Sequence, residues 1–173
     1  MLNGLFYARK KTLHLYLNAK LLLPMTVREA TEKDIPHILD FQLKMALETE
    51  NMTLEISALT LGVNRLFKDP TKGKYYVAEK NSEVIGCLMT TYEWSDWRNG
   101  TVLWIQSVYV ATNHRSQGVY KKMYEHIQQL ASSDPDIKGI RLYVDKRNDV
   151  AQKTYQKLKM NGEHYQVYEW MTE

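Results

Sequence analysis

From Met25 onward, the hydrophobic pattern of the chain alternates between the two-residue period of β-strands and the longer period of amphipathic helices. Thr31 and Asp34, for example, stand three residues apart ahead of an apolar stripe, a spacing that predicts a capped helix over residues 32–48. Alternation of this kind is typical of α/β domains, and 173 residues are enough for one such domain but not for two. We therefore expect residues 25–173 to form a single α/β domain.

The other predicted elements follow from the same two periods and from turn residues. A second helix is expected from Ile56 to Phe67, before the helix-ending pair Asp69-Pro70. Asn99-Gly100 is a strong hairpin signal, so the strands on either side of it should be antiparallel neighbours. The predicted strands are 26–30, 75–79, 84–92, 102–110, 140–144 and 165–170, and the remaining predicted helices are 116–131 and 149–159.

The last predicted strand is rich in aromatic residues. We expect the rings of Tyr165, Tyr168 and Trp170 to pack in the core of the domain. The alternative is that these rings cover the seam of a homodimer.

Residues 1–24 differ in character from the rest of the chain. They form an N-terminal extension of uncertain role, and they contain four cations and no acid. The leucine-rich stretch of this extension, 13–23, is interrupted by polar residues and is too short to span a bilayer, so we predict no membrane association. Three readings stay open: translation that begins at Met25, a dispensable extension, or a targeting leader.

Charge and cysteine content narrow the function classes. Without the four cations of the extension, the chain has 19 cations and 20 anions, a balance that argues against a nucleic-acid partner. The single cysteine, Cys87, cannot form an intramolecular disulfide and stands in an apolar run, so we expect a buried thiol in a cytoplasmic protein. No two of the five histidines are four residues apart, and we predict no metal site.

The most informative segment follows the strand predicted to end at Val110. A short polar turn leads into a helix with Gly118 in its first turn. Unpaired N–H groups and the positive dipole at a helix start favour phosphate, and glycine allows a ligand close to the backbone. The segment therefore indicates an anion site, although an ordinary strand-to-helix connection explains the same residues.

Two motifs carry a resemblance to the GNAT superfamily of acetyl-CoA-dependent N-acetyltransferases. The first, Arg115-Ser116-Gln117-Gly118-Val119-Tyr120, resembles the family fingerprint Arg/Gln-x-x-Gly-x-Gly/Ala, with Tyr120 where a small residue is usual. The second is the segment 148–160, which resembles the helix motif Asn-x-x-Ala-x-x-x-Tyr-x-x-x-Gly-Phe, with Lys159 in place of the usual glycine. The resemblance covers about residues 25 to 170.

The resemblance implies a fold and a co-substrate. The fold is a mixed, mostly antiparallel central sheet with helices on both faces and a splayed strand that forms the acetyl-CoA site. The co-substrate is acetyl-CoA, with no metal. The residues that the resemblance assigns to its binding are Val108, Tyr109, Val110, Arg115, Ser116, Gln117, Gly118, Val119, Tyr120, Lys121, Asn148 and Ala151.

The resemblance also implies catalytic roles. Tyr155 stands where the family often protonates the departing thiolate, with aromatic packing as the alternative role. The thioester oxygen would meet a strand N–H group near Val108. Relatives that acetylate polyamines often have a Glu where this chain has Gln106, which cannot take a proton. The general base is therefore left to other residues.

The nearest acids are Glu93 and Asp96, in a loop interleaved with aromatic residues that include Trp97. Carboxylates and aromatic rings together suit an ammonium substrate, through charge attraction and cation–π contact. The same loop could equally be a hairpin end whose acids face water.

Three functions compete at this point. The first is acetylation of a small cationic or amino-acid-like amine; the second is acetylation of a peptide N-terminus or lysine; the third is a non-catalytic acetyl-CoA-binding module. We expect the first, with a small-molecule amine as the partner of acetyl-CoA.

Overall fold

The structure is a computed structural model that describes residues 24–172. Apart from Pro24, the N-terminal extension predicted over residues 1–24 lies outside the described residues. The helices and strands follow in the order β1 (Thr26–Glu29), α1 (Ile35–Met45), α2 (Ile56–Lys68), β2 (Lys74–Lys80), β3 (Glu83–Ser95), β4 (Gly100–Val110), α3 (Val119–Ser133), β5 (Ile137–Leu142) and α4 (Asp149–Lys157). A π-helical turn, Ala46–Glu50, follows α1.

The five strands form one open sheet in which neighbours in sequence are also neighbours in space, from β1 at one edge to β5 at the other. Every pair is antiparallel except β4 and β5, which are parallel because α3 connects them. β3 and β4 form the predicted hairpin, in which Ser95 pairs with Gly100 and Asn99 takes a left-handed conformation. The prediction of a mixed, mostly antiparallel sheet is confirmed.

Helices cover both faces of this sheet, as expected. On one face, Met123 and Ile127 of α3, spaced four residues apart, are fully buried in one cluster with Leu88 and Ile105. α1 and α2 pack on the other face, where the cluster includes Ile38, Phe41, Val63, Leu66, Tyr75 and Val77. Cys87 belongs to this second cluster and is fully buried, as predicted, and burial raises the pKa of its thiol to about 12.

The 3-10 turn that leads into α1 has the predicted cap. The backbone N–H and the hydroxyl group of Thr31 both donate to the Asp34 carboxylate, at 2.7 and 3.0 Å. Arg28 of β1 also donates to this carboxylate, at 2.8 Å, and holds its pKa at about 2. The helix predicted over 32–48 is divided, however, into a 3-10 turn at Glu32–Asp34, α1 itself and the π-helical turn.

β4 contains one more residue than the stretch of β3 that it pairs with. Two consecutive residues, Ser107 and Val108, lie opposite the single residue Leu88, which makes a β-bulge. Ser107 has a φ of 53°. The buried side chain of Gln42 in α1 donates to the Ser107 carbonyl at 3.4 Å, at the point where the regular ladder is interrupted. The bulge is therefore tied to the helix that packs over it.

The prediction of a final strand at 165–170 is wrong. The alternating pattern is present, but a strand also needs a neighbouring backbone to pair with, and the structure describes residues 165–170 without strand pairing. Their rings do not enter the core: Tyr165, Tyr168 and Trp170 are 80%, 89% and 86% exposed. Tyr165 meets the sheet through its ring, which lies 5.4 Å from the guanidinium group of Arg141 in β5.

Other boundaries also differ from the prediction. α3 begins at Val119 rather than at residue 116, because Ser116 and Gly118 have φ values of 60° and 78°, which a right-handed helix excludes. β5 covers Ile137–Leu142 rather than 140–144, and its pairing with β4 stops at the same residue. α4 ends before Lys159, whose φ of 63° is the left-handed conformation that glycine adopts most easily.

The bulge predicts a difference between two variants of Ser107. Ser107→Gly and Ser107→Val both remove the hydroxyl group, but only valine resists a left-handed backbone, at a cost of about 1–2 kcal/mol. The glycine variant should therefore have the higher free energy of unfolding by about that amount, measured by urea denaturation followed through tryptophan fluorescence. Equal free energies of unfolding would show that the positive φ does not constrain this position.

Candidate functional site

The sheet opens between β4 and β5. The two strands pair from Thr101 to Ile105, where Ile105 lies opposite Leu142. β4 then continues to Val110 beside β3 alone, because β5 has ended. One edge of β4 beyond Ile105 is therefore without a strand partner among the described residues, and its N–H and C=O groups face the gap. This is the splayed arrangement that the resemblance implied.

A turn with two left-handed residues follows the open end of β4. After the 3-10 turn Thr112–His114, Ser116 and Gly118 take positive φ values, and Gly118 is the N-cap of α3. A Cβ atom added at Gly118 would meet nothing within 4 Å, and no side chain caps the helix. The N–H groups of the first turn of α3 thus have no capping side chain, and they stand at the positive end of a 15-residue helix. The turn can accept an anion.

Arg115, the first residue of the fingerprint, is held by groups outside the turn. Its Nε donates to the Val110 carbonyl at 2.9 Å, and its guanidinium group pairs with Glu48 at 2.5 Å and lies 5.2 Å from the centre of the Tyr109 ring. The Tyr109 hydroxyl also donates to Glu48, at 2.9 Å. The hydrogen bond from Arg115 lowers the pKa of Glu48 below its ordinary value.

Glu48 is a functional candidate that the sequence did not point to. It lies in the π-helical turn after α1, 67 positions before Arg115, and no local motif marks it. Beside it is an open depression of about 490 Å³, lined by Phe41, Lys44, Glu48, Tyr109, Ala111, Thr112 and Asn113. The depression borders the end of β4 on the α1 side.

Three more of the predicted cofactor residues, and Val119 in the first turn of α3, lie on or near the turn. Gln117 donates to the Asn113 carbonyl at 2.9 Å, and Lys121 is exposed beside Glu125, 3.7 Å away. Ser116 is exposed, whereas Val119 is buried in the core. The remaining two belong to the start of α4, where the Asn148 side chain accepts a hydrogen bond from the Ala151 N–H at 3.0 Å.

Tyr155 of α4 lies against α3. Its ring contacts the Tyr120 ring edge-on, with the centres 5.5 Å apart. The Tyr120 hydroxyl is buried rather than exposed at the turn, so the structure does not offer it to a phosphate. Burial raises the pKa of both phenols, and both therefore keep their protons at neutral pH. Further along, Leu158 packs against the same core cluster as Val108 of β4.

The residues predicted to attract the acceptor are not all together. Glu93 lies within β3 rather than in a loop, whereas Asp96 and Trp97 begin the hairpin turn. Trp97 is 90% exposed, and Asp96 accepts a hydrogen bond from the Trp97 N–H. The structure therefore separates Glu93 from the other two.

Glu93 has two partners that the sequence did not predict. Its Oε2 accepts a short hydrogen bond from the indole N–H of Trp104, and its Oε1 pairs with Arg141 of β5. Gln106 donates to the Thr91 hydroxyl at 2.7 Å. All five side chains project from alternate positions of β3, β4 and β5 on the face that α1 and α2 partly cover.

Two further findings concern the described residues 24–172 as a whole. They contain no group of three or more His, Cys, Asp or Glu side chains placed to hold a metal ion. None of their helices is both long enough and apolar enough to cross a membrane.

Comparisons with known proteins agree with this geometry. The model of the acetyltransferase (GNAT) family matches residues 37–160. A solved structure of a possible acetyltransferase from Clostridium difficile 630 is 42% identical to this chain, covers 86% of it and 97% of its own length, and has a TM-score of 0.80. No curated protein matches the chain.

Two more distant structures share the fold. An aminoglycoside acetyltransferase from an uncultured soil metagenomic sample, in complex with sisomicin, is 20% identical over 86% of this chain and 95% of its own, with a TM-score of 0.68. A predicted acetyltransferase with acetyl-CoA from Clostridium acetobutylicum is 20% identical over 84% of this chain and 95% of its own, with a TM-score of 0.67.

Proposed function

The chain belongs to the GNAT family of acetyltransferases, and we propose that it transfers the acetyl group of acetyl-CoA to the primary amine of a small molecule. The observation that carries this proposal is the open edge of β4 beyond Ile105, which leads directly to the uncapped start of α3. A solved structure of the same fold contains acetyl-CoA. The two features together suit a long ligand with a charged end and an amide-bearing arm.

The proposed position of acetyl-CoA follows from the chemistry of its parts. Its pyrophosphate binds the N–H groups at the turn around Gly118, where helix dipole and left-handed backbone favour an anion. Its pantetheine arm has amide groups, which pair with the free edge of β4 between Gln106 and Val110. The thioester then lies in the gap between β4 and the end of β5.

Arg115 has a supporting role in this proposal. Because its guanidinium group is paired with Glu48 and its Nε with the Val110 carbonyl, it braces the turn against the end of α1. The pair is about 40% exposed on each side, so it contributes little to stability by itself. Its value is geometric, since it fixes the spacing between the turn and the strand that the cofactor must span.

The reaction is a direct attack by the amine. The lone pair of the neutral amine forms the new bond to the thioester carbon, the bond from that carbon to sulfur breaks, and the proton of the amine leaves to a base. The Tyr155 hydroxyl, whose pKa partial burial raises above its ordinary value, donates its proton to the departing thiolate. A backbone N–H of the β4 edge near Val108 stabilises the oxygen as it gains charge.

Glu93 is the acid that we propose as the proton acceptor. It shares a face of the sheet with Gln106, which has no basic atom of its own. Trp104 holds one oxygen of the carboxylate and so fixes its orientation. Asp96, on the exposed hairpin turn, is left without a catalytic role in this arrangement.

A panel of amines tests the function. The full chain is incubated with acetyl-CoA and small amines, and thiol release and acetylated product are both measured. Acetylation of small amines supports the proposal. Acetylation of peptides alone would favour the second function, and binding of acetyl-CoA without thiol release on any amine would make the protein a binding module.

The turn predicts a difference between two isosteric variants. Gly118→Asp and Gly118→Asn meet the same open space and the same left-handed backbone at this position, but only aspartate brings a negative charge to the proposed pyrophosphate site. We expect Gly118→Asp to abolish acetyl-CoA binding by calorimetry and Gly118→Asn to retain a weaker affinity.

The melting temperature of both variants is the control. Both side chains meet the same left-handed backbone, which strains any L-residue, so the two variants should melt at similar temperatures, at or below that of the wild-type protein. If both variants bind acetyl-CoA with the same affinity, charge at this position does not matter and the anion site is wrong.

Tyr155→Phe is expected to slow the reaction without loss of fold or cofactor binding, because the ring still packs against Tyr120. Proton donation to a leaving group is worth about 10²–10⁴ in rate, and a thiolate leaves easily, so we expect a fall in kcat of about 10²-fold. Tyr124→Phe is the matched control, since Tyr124 of α3 also stacks on Tyr120 and has no role in the proposal. A kcat for Tyr155→Phe within about twofold of wild type would show that Tyr155 only packs against Tyr120 and does not donate the proton.

A further inference from the structure

The face of the sheet beside the gap contains a cation, Arg141, that the proposed reaction does not require. Arg141 of β5 lies opposite Trp104 in the parallel register and binds the carboxylate of Glu93 across β4. Gln106, at the start of the open edge, is two residues beyond Trp104 on the same face, roughly 7 Å along the strand. The charge pair is therefore close to the place where the thioester is proposed to lie.

The pair is open to a ligand on its outer side. The side chains of Arg141 and Glu93 are 31% and 34% exposed. Aromatic rings lie beside it: Trp104 has its ring centre 6.3 Å from that of Tyr143, and the ring of Tyr165 lies 5.4 Å from the guanidinium group. A partly exposed ion pair beside aromatic rings offers both charges and apolar surface to a ligand.

A simple cationic amine would gain little here. Its ammonium group would meet a carboxylate that Arg141 already neutralises, so the two positive charges would compete for Glu93. A molecule with both charges meets no such conflict. Its carboxylate can take the two N–H groups of the guanidinium fork, and its ammonium group can take the Glu93 oxygen that Arg141 then leaves.

We propose that the acceptor is a zwitterion of the α-amino-acid class, with its carboxylate bound by Arg141 and its amino group held by Glu93. This inference rests on the proposed function and names the substrate class of that site. An α-amino acid has its two charges on adjacent groups, so it fits between the paired side chains if they part by a few ångströms. The second oxygen of Glu93 stays on the Trp104 indole, which keeps the carboxylate in place as the pair opens.

The test compares α-amino acids with their α-amides, which have the same side chain and amine but no carboxylate. The amide has the less basic amine and so contains more of the reactive neutral form at neutral pH, which means that amine reactivity alone favours the amide. We expect kcat/KM of the wild-type protein to be at least about 10-fold higher for the acids, because a charged hydrogen bond is worth about that much or more.

Arg141→Gln should remove this preference. We expect its kcat/KM for the acids to fall by about 10- to 100-fold. That for the amides should stay the same or rise, because their ammonium group no longer competes with Arg141 for Glu93. Arg141→Lys keeps the charge but not the planar fork, and it should recover part of the loss. Arg65→Gln, in which an exposed cation of α2 is removed, is the matched control and should change neither value.

Acceptor binding is also measured without catalysis, by calorimetric titration of the same acids and amides into the protein saturated with coenzyme A. Tighter binding of the acids that depends on Arg141 supports the inference even if no acceptor is acetylated. Absence of acetylation would overturn the proposed reaction alone, and not the inference about binding. A preference for the amides would overturn the inference in favour of a peptide N-terminus. Equal losses on acids and amides in a folded Arg141→Gln would also overturn it, because Arg141 would then only position Glu93.

Discussion

The second half of β4 is held by one neighbouring strand instead of two, and the rest of the site depends on that. Up to Ile105 the strand pairs with β3 and β5, and beyond it with β3 alone. The bulge at Ser107 falls in this half, where the extra residue turns the strand, and Gln42 of α1 bonds the carbonyl that the bulge displaces. A backbone edge can be left free for a ligand at this position because the core clusters on both faces hold the strand in place.

The gap has two sides with different chemistry. On the α3 side, the uncapped helix start favours an anion. The phenols of Tyr120 and Tyr155 lie on the same side, and burial raises their pKa values, so they retain their protons. On the α1 side is a half-exposed set of charged and aromatic groups centred on Glu93 and Arg141. A thioester that crosses the gap would therefore meet its proton donor on one face of the sheet and its attacking amine on the other, which keeps the two proton transfers apart.

Two ion pairs connect this site to distant parts of the chain. Glu48 with Arg115 ties the end of α1 to the turn, and Glu93 with Arg141 ties β3 to β5 across β4. Each pair is partly exposed, so neither accounts for much of the stability of the fold. Their effect is on geometry, because each one sets the distance between two elements on opposite sides of the proposed ligand.

The sequence by itself determined the features that depend on residues close together in the chain: the Thr31 cap, the Asn99 hairpin, the buried Cys87 and the turn around Gly118. Periodicity and turn chemistry act over a few residues, so they can be seen without a fold. Only the tertiary structure decided which partners meet. Arg115 reaches Glu48 across 67 positions and Arg141 reaches Glu93 across 48, and residues 165–170 form no strand because no backbone edge pairs with them. Pairing of this kind depends on how the strands and helices pack against one another, which no local pattern encodes.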